Sequence, residues 1–240
     1  MWPSAAARLT HPAPDIDIPA AEDAVRSLLV ALGQDPEAEH LKQTPRRVAA
    51  AYSELLTPDD FELTTFANQE GYDQLVLARD IPFRSLCEHH MLPFYGVAHV
   101  GYLPAQRIAG LSKLARVVEG FARGLQVQER LTKQIADCLD SHLQPKGVGV
   151  VLEAEHLCMS LRGVRAQGSR TLTSELSGHL RHNAAARQEF YSLTRGASSN
   201  SQDRVKSWAN WIRSSVCRRM SSSQYREVGG PQLADSSSPA

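Results

Sequence analysis

Residues 85–90 read Ser85-Leu86-Cys87-Glu88-His89-His90, between two runs of strand character. Before them, Leu75, Val76 and Leu77, then Ile81 and Phe83, predict a strand over about 72–86 with a break near Asp80 and Pro82. After them a partner strand is expected from about Gly96 to Leu103, ended by Pro104. The Cys-Glu-His-His stretch therefore falls at a strand-to-strand connection, where a sheet can hold reactive side chains rigidly.

Working outward, a helix is expected over Ser112 to about Arg123, with Leu114, Ala115, Val118, Phe121 and Ala122 on one face. A second follows from about Val127 to Leu143, with Leu131, Ile135, Cys138, Leu139 and His142 on one face. Pro145 and Gly147 turn the chain into a strand from Val148 to about Leu161, and another is expected around Arg170 to Leu176. A short helix over Ala184 to Leu193 closes the patterned region. Upstream, Val25, Leu28, Leu29 and Leu32 mark a helix from Pro19 to Leu32 that Gly33 stops. Thr44 as N-cap and Pro45 at the first position open another. Helices, two strands, two helices, two strands make an α+β protein with a mostly antiparallel sheet.

Residues 1–18, rich in Ala and Pro, are expected to form a flexible arm, 19–195 the folded domain, and 196–240 a disordered tail rich in Ser, Asn, Gly and Pro. Within that tail Val205, Trp208, Ile212 and Val216 fall at helical spacing. Lys+Arg and Asp+Glu are both 26, so no net field favours nucleic acid or a membrane surface. No apolar run approaches the roughly 20 residues that span a bilayer, and the first residues lack a secretory apolar core. Four cysteines are too few for a disulfide scaffold of 240 residues, which suits the reducing cytoplasm.

A second Cys/His stretch, His156-Leu157-Cys158, gives the chemistry a direction. Together the two stretches offer two thiols and three imidazoles, the donor set of zinc. Cys87 and His90 are three apart, a spacing that one turn can aim at one ion. His156 and Cys158 are two apart on the expected strand and so share a face with Val148, Val150, Leu152 and Ala154. A closed structural site and an open catalytic site are both compatible with this spacing. The surplus imidazole favours the open one, since a closed site has no use for it. Cys138 on an apolar helix face reads as core.

The sequence closely resembles the GTP cyclohydrolase I family from about Thr44 to Leu193. The resemblance rests on residues 85–90, on Gly110-Leu111-Ser112-Lys113-Leu114-Ala115-Arg116 and on Gln126-Val127-Gln128-Glu129-Arg130-Leu131-Thr132. It is completed by His156-Leu157-Cys158-Met159 and Arg162-Gly163-Val164, all in the family's order. It implies a tunnelling fold: an antiparallel sheet with two helices on one side, preceded here by N-terminal helices. It also implies a ring of ten subunits with active sites at their interfaces. The implied reaction turns GTP and water into formate and 7,8-dihydroneopterin triphosphate. By the family pattern Cys87, His90 and Cys158 hold Zn2+, while His89, His156 and Ser112 serve proton transfer and ribose rearrangement. Gln128 and Glu129 read guanine, and Lys113, Arg116 and Arg162 bind the triphosphate.

Gly124 departs from the larger residue that many relatives carry before the Leu-Gln-Val-Gln run. Three rival readings fit less well. The nitrile reductases of 7-deazaguanine metabolism use a catalytic cysteine without this metal set. Zinc nucleoside deaminases carry a His-x-Glu and Pro-Cys-x-x-Cys pair that is missing here. An idle zinc-stapled scaffold would have no use for the free histidines, Ser112 or the guanine-reading pair.

Overall fold

Val148, Val150, Leu152 and Ala154 are fully buried, and the strand that carries them lies within the main sheet. The computed structural model describes residues 5–9 and 14–195; the helical spacing at Val205–Val216 lies outside them. The elements run β1 (Ala5–Leu9), α1 (Ile18–Ala31), α2 (Thr44–Leu56), β2 (Phe61–Ala67), β3 (Val76–Cys87), β4 (Pro93–Leu103) and β5 (Arg107–Ala109). They continue with α3 (Leu111–Ala122), β6 (Leu125–Gln126), α4 (Gln128–Leu143), β7 (Gly147–His156), α5 (Leu157–Ser160), β8 (Thr171–Leu176), α6 (Gly178–His182) and α7 (Ala184–Arg195). The expected α+β order is present.

The main sheet has the order β6-β3-β4-β7-β8, antiparallel except for the short parallel contact of β6 with β3. Its period-2 alternation feeds two cores. One face meets α3 and α4 through Leu114, Val117, Val118, Leu131, Ile135 and Leu139. The other meets Leu180 of α6 and Phe190 of α7 through Val151, with Leu75, Leu77 and Leu103 packed around them. Gly101 and Gly149 face each other in the β4–β7 register. A Cβ on Gly149 would come within 2.8 Å of the Phe190 ring, so the aromatic rests on bare backbone there.

The expected break in β3 is a register shift between Ala78 and Ile81, with Asp80 in the left-handed region at φ 56°. Pro82 costs no ladder bond on the far side, because β6 pairs only with Leu86 and Cys87. Gly124 has φ +109°, which turns the chain out of α3 into β6. The helix boundaries differ by one residue at α2, where Gln43 is the cap and Thr44 already helical. In α4, His142 is exposed and Leu143 takes the buried position.

Three further features depart from the sequence expectation. Residues 5–9 of the expected arm form β1, which pairs with β2 in a separate sheet of order β1-β2-β5. In β2, Phe61, Leu63 and Thr65 alternate inward, but the threonine hides the apolar pattern. The strand expected to reach Leu161 stops at His156. β4 pairs His156 with Phe94 and the β3–β4 ladder ends one residue earlier, at Pro93. With no ladder beyond, the backbone coils into α5, where Leu161 N donates to the Leu157 carbonyl at 3.0 Å.

Candidate functional site

The chain reverses direction just after Cys87. Cys87 N donates to the Leu92 carbonyl at 2.9 Å, and the Cys87 carbonyl accepts from Met91 N at 2.8 Å and His90 N at 3.3 Å. Met91 takes the left-handed conformation that closes this turn, at φ 53°. Tyr52 of α2 donates its hydroxyl to the Met91 carbonyl at 3.0 Å, tying the turn to the N-terminal helices. The turn leaves His89 and His90 exposed above a buried Cys87. Nδ1 of His90 lies 3.8 Å from Cys87 Sγ, and Nδ1 of His89 lies 3.9 Å from it.

Cys158 arrives from the other side, on α5. Donor atoms of Cys87, His90 and Cys158 all lie within 4.8 Å of one another. Cys158 reaches this position because the chain coils after His156, and not by sharing a strand face with it. Ligands of a tetrahedral zinc at bond lengths near 2.3 Å stand roughly 3.5–4 Å apart, so a small closure of the trio matches a zinc shell. Both cysteines are free thiols. Burial pushes the Cys158 thiol up, the neighbouring Cys87 pushes it further, and Arg162 pulls it back. Two thiolates this close repel each other, and a divalent cation between them removes that penalty. The donor chemistry fits zinc.

His156 is held differently. Its ring stacks on Phe94, with centroids 4.6 Å apart and planes 1° from parallel. Its Nε2 donates to Gln128 Oε1 at 2.8 Å. Burial lowers its pKa, so the neutral imidazole is favoured, while the Glu129 charge opposes that shift. Glu129 itself is exposed in the first turn of α4. Gln128 turns inward: its amide nitrogen faces Leu152 O, Thr171 O and Thr173 Oγ1 at 3.2, 3.0 and 3.1 Å.

Ser112, Lys113 and Arg116 lie in the first turns of α3, with Ser112 and Arg116 exposed and Lys113 half-buried. Their side chains make no hydrogen bond or ion pair with the Cys–His trio within the described residues. Arg162 is exposed in the loop after α5, and its charge acts on Cys158.

Two residues without a predicted role also shape the site. Arg130 donates to Glu88 Oε2 at 2.6 Å, to Gln126 Oε1 at 2.9 Å and to the Leu125 carbonyl at 2.9 Å. Glu88 N donates to the Gln126 carbonyl at 3.1 Å. The start of α4 is thus bolted to the turn that carries the histidines. Both residues stand in the quoted motifs, but nothing in either motif says that they pair.

Residues 21–195 match the family model of GTP cyclohydrolase I, so the match spans α1 to α7 and includes the trio. This chain belongs to the GTP cyclohydrolase I family. It is 50% identical over 181 residues to GTP cyclohydrolase 1 of Aquifex aeolicus, covering 75% of this chain and 98% of that protein. With the enzyme of that name from Streptomyces griseus it shares 55% identity over 180 residues, 72% of this chain and 88% of the other. The Gloeobacter violaceus enzyme is 54% identical over 175 residues, 71% and 82% of the respective chains. A solved structure titled as the archaeosine synthase QueF-Like in the apo form covers 43% of this chain and 93% of its own, at 18% identity and TM-score 0.35. Among the described residues no helix is long and apolar enough to cross a membrane.

Proposed function

We propose that this chain is a zinc-dependent GTP cyclohydrolase, converting GTP and water to 7,8-dihydroneopterin triphosphate and formate. The observation that carries the reading is the Cys87–His90–Cys158 trio with two further histidines beside it, in a chain of this family. Zinc held by Cys87, His90 and Cys158 supplies a Lewis acid that lowers the pKa of water to about 7. Everything else in the reaction asks for positioning and proton transfer. Opening the imidazole ring of guanine needs a proton at N7, and release of formate and ring closure need more. His89 and His156, the two imidazoles beside the trio, are assigned to that proton transfer. Ser112 is assigned to the ribose, which must open and rearrange.

Glu129 reads the base: a carboxylate accepts from guanine N1–H and the 2-amino group together, a pattern adenine does not offer. Its proximity to His156 supports this placement. Lys113, Arg116 and Arg162 take the triphosphate, which guanidinium forks and an ammonium suit. The exposure of Arg116 and Arg162 supports that role, since each stands open to a ligand. Gln128 stands with Glu129 beside the base by family pattern.

The tunnelling fold and its ring of ten subunits, with sites between neighbours, belong to the same proposal. Exposed Leu111, Leu161, Val164 and Leu172 support assembly, because apolar side chains 65–74% exposed next to site residues are what a subunit contact covers. Residues 19–195 form the catalytic domain of a cytoplasmic enzyme whose partner molecules are GTP and copies of itself.

The test is an anaerobic incubation of the purified protein with GTP, following formate and the fluorescence of oxidised pterin, with and without a strong chelator. Both products appear together, vanish with the chelator and return with zinc. A zinc-loaded, folded ring that releases neither sinks the enzyme reading and favours a scaffold.

A further inference from the structure

Gln128 is 1% exposed and opens α4. Two of the three acceptors facing its amide nitrogen are the carbonyls of Leu152 and Thr171, which cannot donate. Turning the amide over would set Oε1 against both carbonyls, so its orientation follows from chemistry. Hydroxyls close the arrangement. Thr132 Oγ1 donates to the Gln128 carbonyl at 2.7 Å, which spends its one proton. Thr173 Oγ1 therefore donates to Thr132 at 2.6 Å and offers its lone pairs to Gln128 Nε2.

The amide oxygen is left facing His156 Nε2 at 2.8 Å, and an amide oxygen only accepts. The hydrogen must sit on Nε2. The fully buried Phe94 ring, parallel to the imidazole, fixes the ring plane. Chain order runs from two backbone carbonyls through one amide to one tautomer.

We propose that Gln128 is a positioning residue that holds His156 in its Nε2–H form, confining proton exchange with substrate to Nδ1. This rests on the reading of His156 as a proton-transfer group. It gives the Gln128 side chain a part in turnover, because both amide hydrogens are engaged within the fold. The same network explains why so polar a side chain is buried at a helix start.

The test uses the zinc-loaded, full-length protein with nitrogen-15-labelled histidine, in solid-state NMR at about pH 8, where histidine is neutral. The His156 signals are located by their loss in His156→Ala. The expected result is a proton on Nε2 and a bare Nδ1, which needs no variant to read. Gln128→Met, of similar length without an amide, is expected to mix the tautomers. It should lower kcat roughly 10- to 100-fold, with zinc content unchanged and KM for GTP nearly so. A proton on Nδ1 in the wild type overturns the proposal. So does a Gln128→Met enzyme whose KM rises at unchanged kcat, the mark of a base reader. A protein that releases no formate from GTP sinks the proposed reaction, while the tautomer remains readable from the NMR.

Discussion

Cys87 and Cys158 bring their sulfurs together across a strand to which neither belongs. Cys87 ends β3, Cys158 follows β7, and β4 lies between those strands, pairing with both. The two meet because the 87–92 turn and α5 both fold over the same end of β4, beside Phe94 and its partner His156. A single-stranded reading of either motif gives no hint of this distance.

Loss of a sulfur should therefore empty the site, while loss of a histidine outside the trio should not. Cys87→Ser and Cys158→Ser are expected to retain less than about a tenth of the wild-type zinc, because a neutral hydroxyl replaces a thiolate. His89→Ala and His156→Ala should keep the metal and lose turnover by about 100-fold or more. Metal per subunit, measured by elemental mass spectrometry, separates the two classes. Zinc loss in His89→Ala would move His89 into the ligand set.

The Glu88–Arg130 pair spans 2.6 Å with side chains 32% and 43% exposed, so solvent screens much of its energy. Glu88→Gln should cost about 0.5–1 kcal/mol of stability, a fall of a few degrees in Tm that 1 M salt largely levels. Its effect on turnover should be larger in proportion, since Glu88 sits in the turn that holds His89 and His90. A calorimetric scan and a rate at saturating GTP, run on one preparation, check both. Equal rates in variant and wild type would show that the turn keeps its shape without the pair.

Gly149→Ala sets a methyl group 2.8 Å from the Phe190 ring. Overpacking of this kind costs about 1–3 kcal/mol. Phe190→Leu alone leaves a gap and is also destabilising, yet combined with Gly149→Ala it should recover part of the loss. Urea unfolding of the two single variants and the double variant gives the coupling. Strict additivity would mean that methyl and ring do not meet.

Burial raises the Cys138 thiol to about 11 from its ordinary 9.0. The folded state thus keeps a proton that the unfolded chain releases first. Stability from this group is complete below pH 9 and declines as pH rises from 9 towards 11, at about 1.4 kcal/mol per unit. Cys138→Ala lowers stability at neutral pH through the lost packing, but its decline over that pH range should be shallower. Unfolding midpoints at pH 8, 9 and 10 test it, and parallel slopes would exclude the thiol as the cause. At neutral pH, alkylating reagents should reach Cys138 only on unfolding.

The sequence determined which atoms could do chemistry and the periods of the elements that carry them. Period-2 runs in β3, β4 and β7 and the 3.6 spacing in α1, α3 and α4 were legible because each is a local pattern with a stop beside it. The break at Asp80 and Pro82 was legible for the same reason. The small sheet escaped because Thr65 interrupts an apolar alternation and β5 is three residues long. Tertiary structure alone decided what depends on a partner distant in the chain. β7 ends at His156 because its ladder with β4 runs out there, so Cys158 is helical. Arg130 finds Glu88 because α4 starts beside the 87–92 turn. Gln128 faces inward because two carbonyls, from β7 and β8, meet at the start of α4. A residue's type is written in the chain, but the acceptor it faces is set by which strands lie side by side.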